Sequence, residues 1–481
     1  MALVGMALFH LAFQEVALHG LGLGWLSCLF LLRRTACGRW AFYTGLAVGL
    51  GIYGPQLHFF WGLFGPAAVV LWLVLAFWLA LFLLLLHGVD RYWGTGWAVA
   101  LAPVLWLGLE CFRSELYYLR FSWLTAGSVV PPGTWPAAFT TLGVYGIGAL
   151  FMLGGAGLGV LIERCWGRCT ASPRCRLGAL PGLAVLAFLL WLPARLAPKP
   201  DPADATNPTV SLAGVQLEFP KEAEVLAHLD QVLEQHPRAE LVLLGEYTFD
   251  GPPPEAVRDW CRRTGRWLVA GGKDPIPGGG FYNTAFVLSP EGEVVFRQAK
   301  SVPIQFFQDG TPAPRQAVWV WDRGEAAGDP LRVGLAICYD LSYARVLDRL
   351  VSQRPDLLLV PALDAVDWGR HQHRLNARMT LVRAAEYRLP IFRVATSGFS
   401  QAVGPAGNLL AEGSVPGQGE SLAAELRLER RTQAHLPLDR TLAIPAVILT
   451  AAMALLLVRE QRRGQRVPRT GDQGPRTKDR E

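Results

Sequence analysis

Two hydrophobicity patterns divide this 481-residue chain. From residue 16 to residue 192 it is almost continuous Leu, Ala, Gly, Val, Phe and Trp, whereas from Asp201 to Arg440 short apolar runs alternate with polar stretches. A bilayer core takes about 20 apolar residues per helix. The first region therefore predicts membrane spans near residues 16–32, 41–61, 66–86, 98–111, 137–161 and 177–192, with one more at 441–458. Residues 1–13 are apolar but short and predict a partial or re-entrant span; they lack the basic n-region and small-residue cleavage site of a removable signal peptide. In the second region TVSLAGVQLEF, AELVLLGE, RWLVAGGKD, YNTAFVLSPEGEVVFRQAK, RVGLAICYD, PDLLLVPAL and IFRVATSG read as strands, with hairpin turns at LSPEGEV and GPAGNL. Residues 372–388 read as a helix between the last two. This alternation argues an α/β sheet domain with helices on its faces. The expected organisation is an α-helical bundle over residues 1–196, a Pro- and Asp-containing linker at 197–208, the α/β domain at 209–435, a C-terminal span at 441–458 and a basic tail at 459–481.

Composition strengthens the membrane reading, because 51% of the residues are hydrophobic and the mean hydropathy is +0.26, too apolar for an ordinary soluble protein. Short loops rich in Lys and Arg stay in the cytoplasm. Arg33, Arg34 and Arg39 share one loop; Arg164, Arg168, Arg174 and Arg176 share another; the tail after Val458 holds eight Lys and Arg against four Asp and Glu, which is +4 of the formal +6. If the spans alternate, both loops and the tail are cytoplasmic, and the α/β domain is exported and held at both ends. The basic balance then reflects topology, and without Arg-Gly repeats or aromatic-basic interleaving it gives no reason to expect nucleic acid. Of eight cysteines only Cys261 and Cys338 fall in the exported domain, so no disulfide framework is expected. Cys165, Cys169 and Cys175 lack the C-x-x-C spacing and a nearby His, and His371 and His373 diverge at i, i+2 on a helix, so neither set reads as a metal site.

Three polar residues stand at the ends of apolar runs: Glu246 after LVLLG, Lys300 after EVVFRQA and Cys338 after VGLAI. Active groups in open α/β sheets gather beyond the carboxyl ends of strands. A thiol needs a base to become a nucleophile, which a carboxylate supplies, and a nearby cation stabilises a tetrahedral oxyanion. A helix expected from Leu341 would point its N-terminal dipole at Cys338 and favour thiolate. Singly, each residue has a plainer reading as a solvated strand-end charge or a core thiol.

The order Glu246, Lys300 after YNTAFVLSPEG, AICYD around Cys338, then RAAEYRLPIFRVATSGFSQAVGPAGNLL resembles the nitrilase superfamily. With a membrane bundle before it and one helix after it, the chain resembles the apolipoprotein N-acyltransferase family. LECFRSELYYLRFSWLTAGS is similar to that family's Glu, Arg and Phe-x-Trp segment, with Phe121 and Trp123 in place. The resemblance implies a nitrilase-like αββα sandwich in which Glu246 is the general base, Lys300 the oxyanion stabiliser and Cys338 the nucleophile. It implies transfer of an acyl chain from a phospholipid donor, through a cysteine thioester, to the amine of a diacylated apolipoprotein acceptor. No cofactor is implied. The protein would be a monomer in a bacterial inner membrane with its catalytic domain periplasmic. Tyr339, Asp340, Gln305, Trp368 and His373 would contact substrate or support the site, and Trp61, Trp123 and Trp135 read as an interfacial belt more readily than as acyl-groove walls.

The chain departs from the family at several loops. Gly245 replaces a Pro before the base. KSVPIQFFQDG after the lysine is shorter than the family's loop and lacks its Glu, leaving Gln305, Gln308 and Asp309 as alternatives to hold Lys300. Asp340 stands for a Glu after Cys338-Tyr339. LDAVDWGRHQHRLNARM keeps Trp368, Gly369, Gln372 and His373 but not the family's Asn and Phe, while Arg378, Arg383, Glu386 and Arg393 match and read as structural ion pairs beneath the site. These departures leave two rivals: a membrane-tethered nitrilase-like amidase or acyltransferase on another lipid or amine, and a non-catalytic paralogue that binds lipoprotein or lipid. Retention of all three polar residues argues against the second. A transporter is disfavoured because Glu15, His58 and Glu110, the main ionisable residues of the bundle, lie near predicted span ends.

Overall fold

Strands that are apolar at every position must be covered on both faces, since successive side chains point to opposite sides of a sheet. The computed structural model of the chain provides that cover for the strands of the α/β part. It describes residues 1–14, 16–166, 208–313, 315–324, 329–416, 419–429 and 433–466. The expected span at 177–192, most of the linker, the tail beyond residue 466, and Glu15, Arg168, Cys169, Arg174, Cys175 and Arg176 lie outside the described residues.

One six-stranded sheet has the order β12-β1-β2-β3-β4-β5, with β1 Thr209–Val215, β2 Leu241–Leu244, β3 Trp267–Pro275, β4 Phe281–Leu288, β5 Val294–Ala299 and β12 Ser421–Arg427. The other has the order β11-β10-β9-β8-β7-β6, with β6 Val318–Trp321, β7 Leu331–Leu335, β8 Leu357–Ala362, β9 Ile391–Ala395, β10 Gln401–Val403 and β11 Leu409–Glu412. In each, three central strands run parallel, β1-β2-β3 and β7-β8-β9, and antiparallel strands flank them. The sheets stack face to face: Leu212, Leu241 and Leu243 meet Val333, Leu357, Leu359 and Phe392 in a shared core. The alternate residues Ala213, Val215, Val242 and Leu244 face the helices Glu222–Gln235 and Glu255–Thr264, and Leu358 and Val360 face Ala344–Val351 and Gly369–Tyr387. The αββα sandwich expected from the resemblance is present. Strands β6 and β12 were not anticipated; the four residues of β6, Val318–Trp321, carry little period-two signal.

Among the described residues, four helices are long and apolar enough to cross a membrane: Ala67–Trp93, Thr95–Leu116, Pro136–Cys165 and Asp439–Arg463. The expected span at 16–32 is corrected. A 3-10 turn at Val16–Leu18 separates the short helices Ala2–Gln14 and Leu21–Leu31, which pack antiparallel with Gly5 against Cys28 and Gly24 against Leu8. The span expected at 41–61 is the helix Gly38–Gln56, followed by a separate short helix Phe59–Phe64. Gly38–Gln56 lies so close to Ala67–Trp93 that a Cβ on Gly49 would come within 2.6 Å of the Ala76 Cα, an approach small residues permit between membrane helices. The C-terminal helix begins at Asp439 and continues to Arg466, into the segment expected to be tail.

The Gly369–Tyr387 helix joins the two parts. One side packs on the second sheet through Ala384 and Tyr387, and the other puts Leu375, Met379, Val382 and Ala385 into the core of the bundle. Polar contacts follow the same seam, with Thr140 Oγ1 donating to the Ala385 carbonyl (2.8 Å) and the Val144 amide to Glu386 Oε1 (2.7 Å).

Candidate active site

Glu246, Lys300 and Cys338 each follow the carboxyl end of a strand: β2 and β5 in one sheet, β7 in the other. Stacking the sheets brings the three to one place. All are buried, with 1%, 0% and 2% of their surface exposed. Lys300 Nζ lies 2.7 Å from Glu246 Oε1 and 2.7 Å from Asp309 Oδ2. Asn283 on β4 donates from Nδ2 to Glu246 Oε1 (2.6 Å) and to Asp309 Oδ1 (2.8 Å). Leu363, just past β8, links base and thiol: its amide donates to Glu246 Oε2 (2.8 Å), and its carbonyl accepts from the Cys338 thiol (3.5 Å). Gly271 on β3 leaves room for this backbone, since a Cβ there would sit 2.6 Å from the Glu246 Cα.

Cys338 occupies the left-handed region at φ +47°, which a non-glycine residue adopts only when its surroundings hold it there. Residues Cys338–Ser342 form a single 3-10 turn, and the α-helix starts only at Ala344. The helix expected from Leu341 to favour thiolate is therefore absent at that place. Burial, and next the carboxylate of Glu246, push the thiol well above its usual range, against the pull of Lys300, so the resting group is a neutral thiol.

The cluster has two carboxylates and one ammonium. Lys300 stays charged despite burial because Glu246 and Asp309 hold its pKa well up. Asp309, although burial opposes its charge, is held below its usual range by Lys300, by the Ile304 amide (2.7 Å) and by the Tyr247 hydroxyl (2.8 Å). Glu246 is raised, first by burial and then by the charge of Asp309, with Lys300 acting the other way. A carboxylate of raised pKa beside a neutral thiol is an arrangement suited to proton transfer.

Of the three alternatives for holding Lys300, Asp309 is the residue at the ammonium. Gln305 instead donates to the Tyr118 carbonyl (2.6 Å), and Gln308 is exposed. Asp340 accepts from the amides of Ser301 (3.0 Å), Val302 (2.8 Å) and Ile337 (3.2 Å), tying the backbone after Lys300 to the turn of Cys338. Burial is the main cause of its rise to about 6. His373 is buried with Nε2 2.8 Å from the Ala365 carbonyl and fixes that loop without lining the cavity. Arg393 pairs with Asp364 and Arg383 with Glu386, whereas Arg378 has no ion pair among the described residues and donates to the carbonyls of Phe13 and Ser128. Asp364 also accepts from Asn376 Nδ2 (2.7 Å), whose amide is 4.0 Å from the Cys338 sulfur. Asn283, Leu363 and Asn376 were not singled out in the sequence. A polar Asn in the apolar run of β4 is the one local signal among them.

The thiol opens into a cavity at the junction of the two parts. Phe60, Phe64 and Leu75 of the bundle form one wall, and Tyr339, Phe307 and Trp368 of the α/β part another. Trp123 belongs to this wall and packs on Tyr339, with centroids 6.0 Å apart; it is a groove residue, which corrects the belt reading, while Trp61 is exposed.

The family model described as carbon-nitrogen hydrolase matches residues 214–435, and the one described as apolipoprotein N-acyltransferase N-terminal domain matches residues 5–157. An apolipoprotein N-acyltransferase of Shewanella oneidensis is 26% identical over 421 residues, covering 76% of this chain and 76% of that protein. An omega-amidase of Xenopus laevis is 22% identical over 205 residues, 40% of this chain and 72% of that one. A carbon-nitrogen hydrolase structure from Helicobacter pylori covers 46% of this chain and 90% of its own, at 17% identity and a TM-score of 0.39. With the two family models matched in tandem on either side of the linker, and four helices among the described residues long enough to cross a membrane, the chain is a nitrilase-superfamily protein resembling the apolipoprotein N-acyltransferases.

Proposed function

We propose that the chain moves a fatty acyl group from a phospholipid to the α-amine of a diacylglyceryl-cysteine lipoprotein through a thioester on Cys338. The observation that carries this reading is the cavity: a buried thiol facing aromatic membrane-helix residues suits a substrate whose reactive ester lies next to long apolar chains. Extracting such a chain into water costs about 0.8 kcal/mol per CH₂. A groove continuous with membrane helices avoids that cost.

In the first half-reaction Glu246 takes the thiol proton as the sulfur attacks the ester carbonyl, and the Lys300 ammonium stabilises the oxyanion. Collapse breaks the ester C–O bond, Glu246 returns the proton to the leaving alkoxide, and lysophospholipid departs. In the second, the acceptor amine attacks the thioester carbonyl and gives a proton to Glu246. Collapse forms the amide and expels the thiolate, which the same proton restores to thiol. Asp309 and Asn283 keep Lys300 and Glu246 in register, and Asp340 keeps the lysine loop against the thiol turn. The expected setting is a bacterial inner membrane, with the α/β part outside the cytoplasm.

The reaction is tested with the full chain in detergent, an ester phospholipid and a synthetic diacylglyceryl-cysteine lipopeptide. The expected product is the lipopeptide heavier by one acyl group at its amine, formed by the parent and absent with Cys338→Ala. Release of free fatty acid from the phospholipid with the amine unmodified would point instead to a hydrolase.

A further inference from the structure

The cavity that holds the thiol is apolar almost throughout, and Arg120 is its one cationic lining residue. The Arg120 guanidinium carbon lies 5.7 Å from the centroid of the Tyr343 ring, and that of Arg345 lies 5.5 Å from the same centroid. Arg345 and Arg349, one helical turn apart on Ala344–Val351, line a second, polar hollow with Ser301, Gln316 and Arg315. Among the described residues none of these four arginines forms an ion pair, and the Nε atoms of Arg120 and Arg345 are buried without an acceptor.

That concentration of unpaired cations is costly. Burial lowers the Arg345 pKa, and the charges of Arg120 and Arg349 lower it further, with Glu115 and Tyr343 opposing. Glu115 is already engaged, accepting from the Tyr145 hydroxyl (2.7 Å) and the Ala344 amide (2.9 Å). Arg345 also sits in the first turn of its helix, where the dipole favours an anion over a cation. Guanidinium forks match phosphate oxygens bidentately, and the gain is larger where water is partly excluded. A phosphate at this place would relieve the repulsion and supply the missing acceptors.

We propose that Arg120 and Arg345, backed by Arg349, bind the phosphate of the phospholipid whose acyl ester reaches Cys338. This rests on the phospholipid-donor reading above. Arg120 and Cys338 line one cavity, so a glycerophospholipid with its phosphate at the arginine end has its glycerol esters directed toward the thiol and its chains among Phe60, Phe64 and Leu75.

The test is binding, with no turnover: full-length Cys338→Ala protein in detergent, titrated by native mass spectrometry with an ether-linked dialkyl phosphatidylglycerol and with the matching dialkylglycerol. The parent is expected to prefer the phospholipid. Arg120→Gln/Arg345→Gln should weaken phospholipid binding about tenfold or more, the worth of a charged hydrogen bond or two, and leave the dialkylglycerol unchanged. Should the double variant fail to fold, the exposed Arg349→Gln is expected to reduce the preference about threefold. Equal loss for both lipids, or no loss for either, overturns the proposal. Inorganic phosphate at millimolar concentration is expected not to displace the phospholipid, and displacement at micromolar phosphate would identify a free-phosphate site and overturn the lipid assignment. Selective binding of the ether phospholipid without any acylation of the Cys338 protein by ester phospholipids would remove the donor reading alone. Acylation from phospholipid and diacylglycerol with equal efficiency would remove the arginine site alone.

Discussion

Two glutamates of this chain are wholly buried beside cations, and their surroundings push them in opposite directions. Glu386, on the helix that joins the two parts, sits between two arginines: Arg383 pairs with its Oε2, Arg440 Nη2 lies 3.1 Å from the same oxygen, and the Val144 amide donates to Oε1 (2.7 Å). Although burial opposes its charge, those cations hold its pKa below the usual range. Glu246 has one cation, and shares it with Asp309; its pKa is raised. The Glu386 cluster extends through Arg440 to Asp439 (2.6 Å) and Asp348 (3.1 Å), pinning the start of the C-terminal membrane helix to the α/β part. It behaves as a clamp. Glu246 meets one cation where Glu386 meets two, which suits a group that must bind and release a proton. The number of cations in contact with the carboxylate, two at Glu386 and one at Glu246, separates structural from chemical use of the same residue type.

The contrast is broken most directly at its two centres. Glu246→Gln should slow acylation of Cys338 by about 10³-fold, within the usual range for losing a general base, with little change in thermal unfolding in detergent. Glu386→Gln should do the reverse. It takes from the buried Arg383 its carboxylate partner and from Arg440 one of three, and should cost about 3–5 kcal/mol of stability, read as a lowered unfolding midpoint, with acylation per folded molecule largely kept.

A finer test changes the shared counter-charge. Glu246 must be ionised to accept the thiol proton, so the acylation rate should fall as pH drops through its pKa, and burial places that fall above 4.5. Removing the negative charge of Asp309 removes one cause of the rise. In Asp309→Asn the acid limb should therefore move to lower pH, with the rate reduced about ten- to hundredfold through the loss of a charged partner to Lys300. An unmoved limb would mean that Asp309 has no electrostatic link to the base. The smallest effect is expected for Gln305→Ala, less than about twofold, because its amide reaches a backbone carbonyl at the cavity rim and neither Lys300 nor the thiol.

Much of this was legible in the sequence because it follows from local pattern. Runs such as LVLLG and VGLAI, apolar on both faces, gave the central strands, and a single polar residue after each gave Glu246 and Cys338. Choosing among Gln305, Gln308 and Asp309 was beyond local pattern, since the loop from Ser301 is irregular, with Phe306 at φ +69° and Gly310 at φ +83°. Such a path decides which side chain turns inward. Trp123 was misread for a similar reason: its place in the cavity wall depends on the α/β part, where its indole N–H meets Ser342 Oγ at 2.9 Å, 219 residues away. Arg120 and Arg345 likewise come together across the same seam. Cys261, the other thiol of the α/β part, stands on the buried face of the helix Glu255–Thr264 among apolar residues, and burial pushes it up to about 12.

The most direct measurement of the central claim, that Cys338 carries the acyl group in transit, is the intact mass of the purified protein after incubation with an ester phospholipid alone. The expected result is a mass increase of one acyl chain that hydroxylamine removes, present in the parent, strongly reduced in Glu246→Gln and absent in Cys338→Ala. Folded parent protein that transfers acyl groups to an amine without ever showing that adduct, or an adduct that persists in Cys338→Ala, would contradict it.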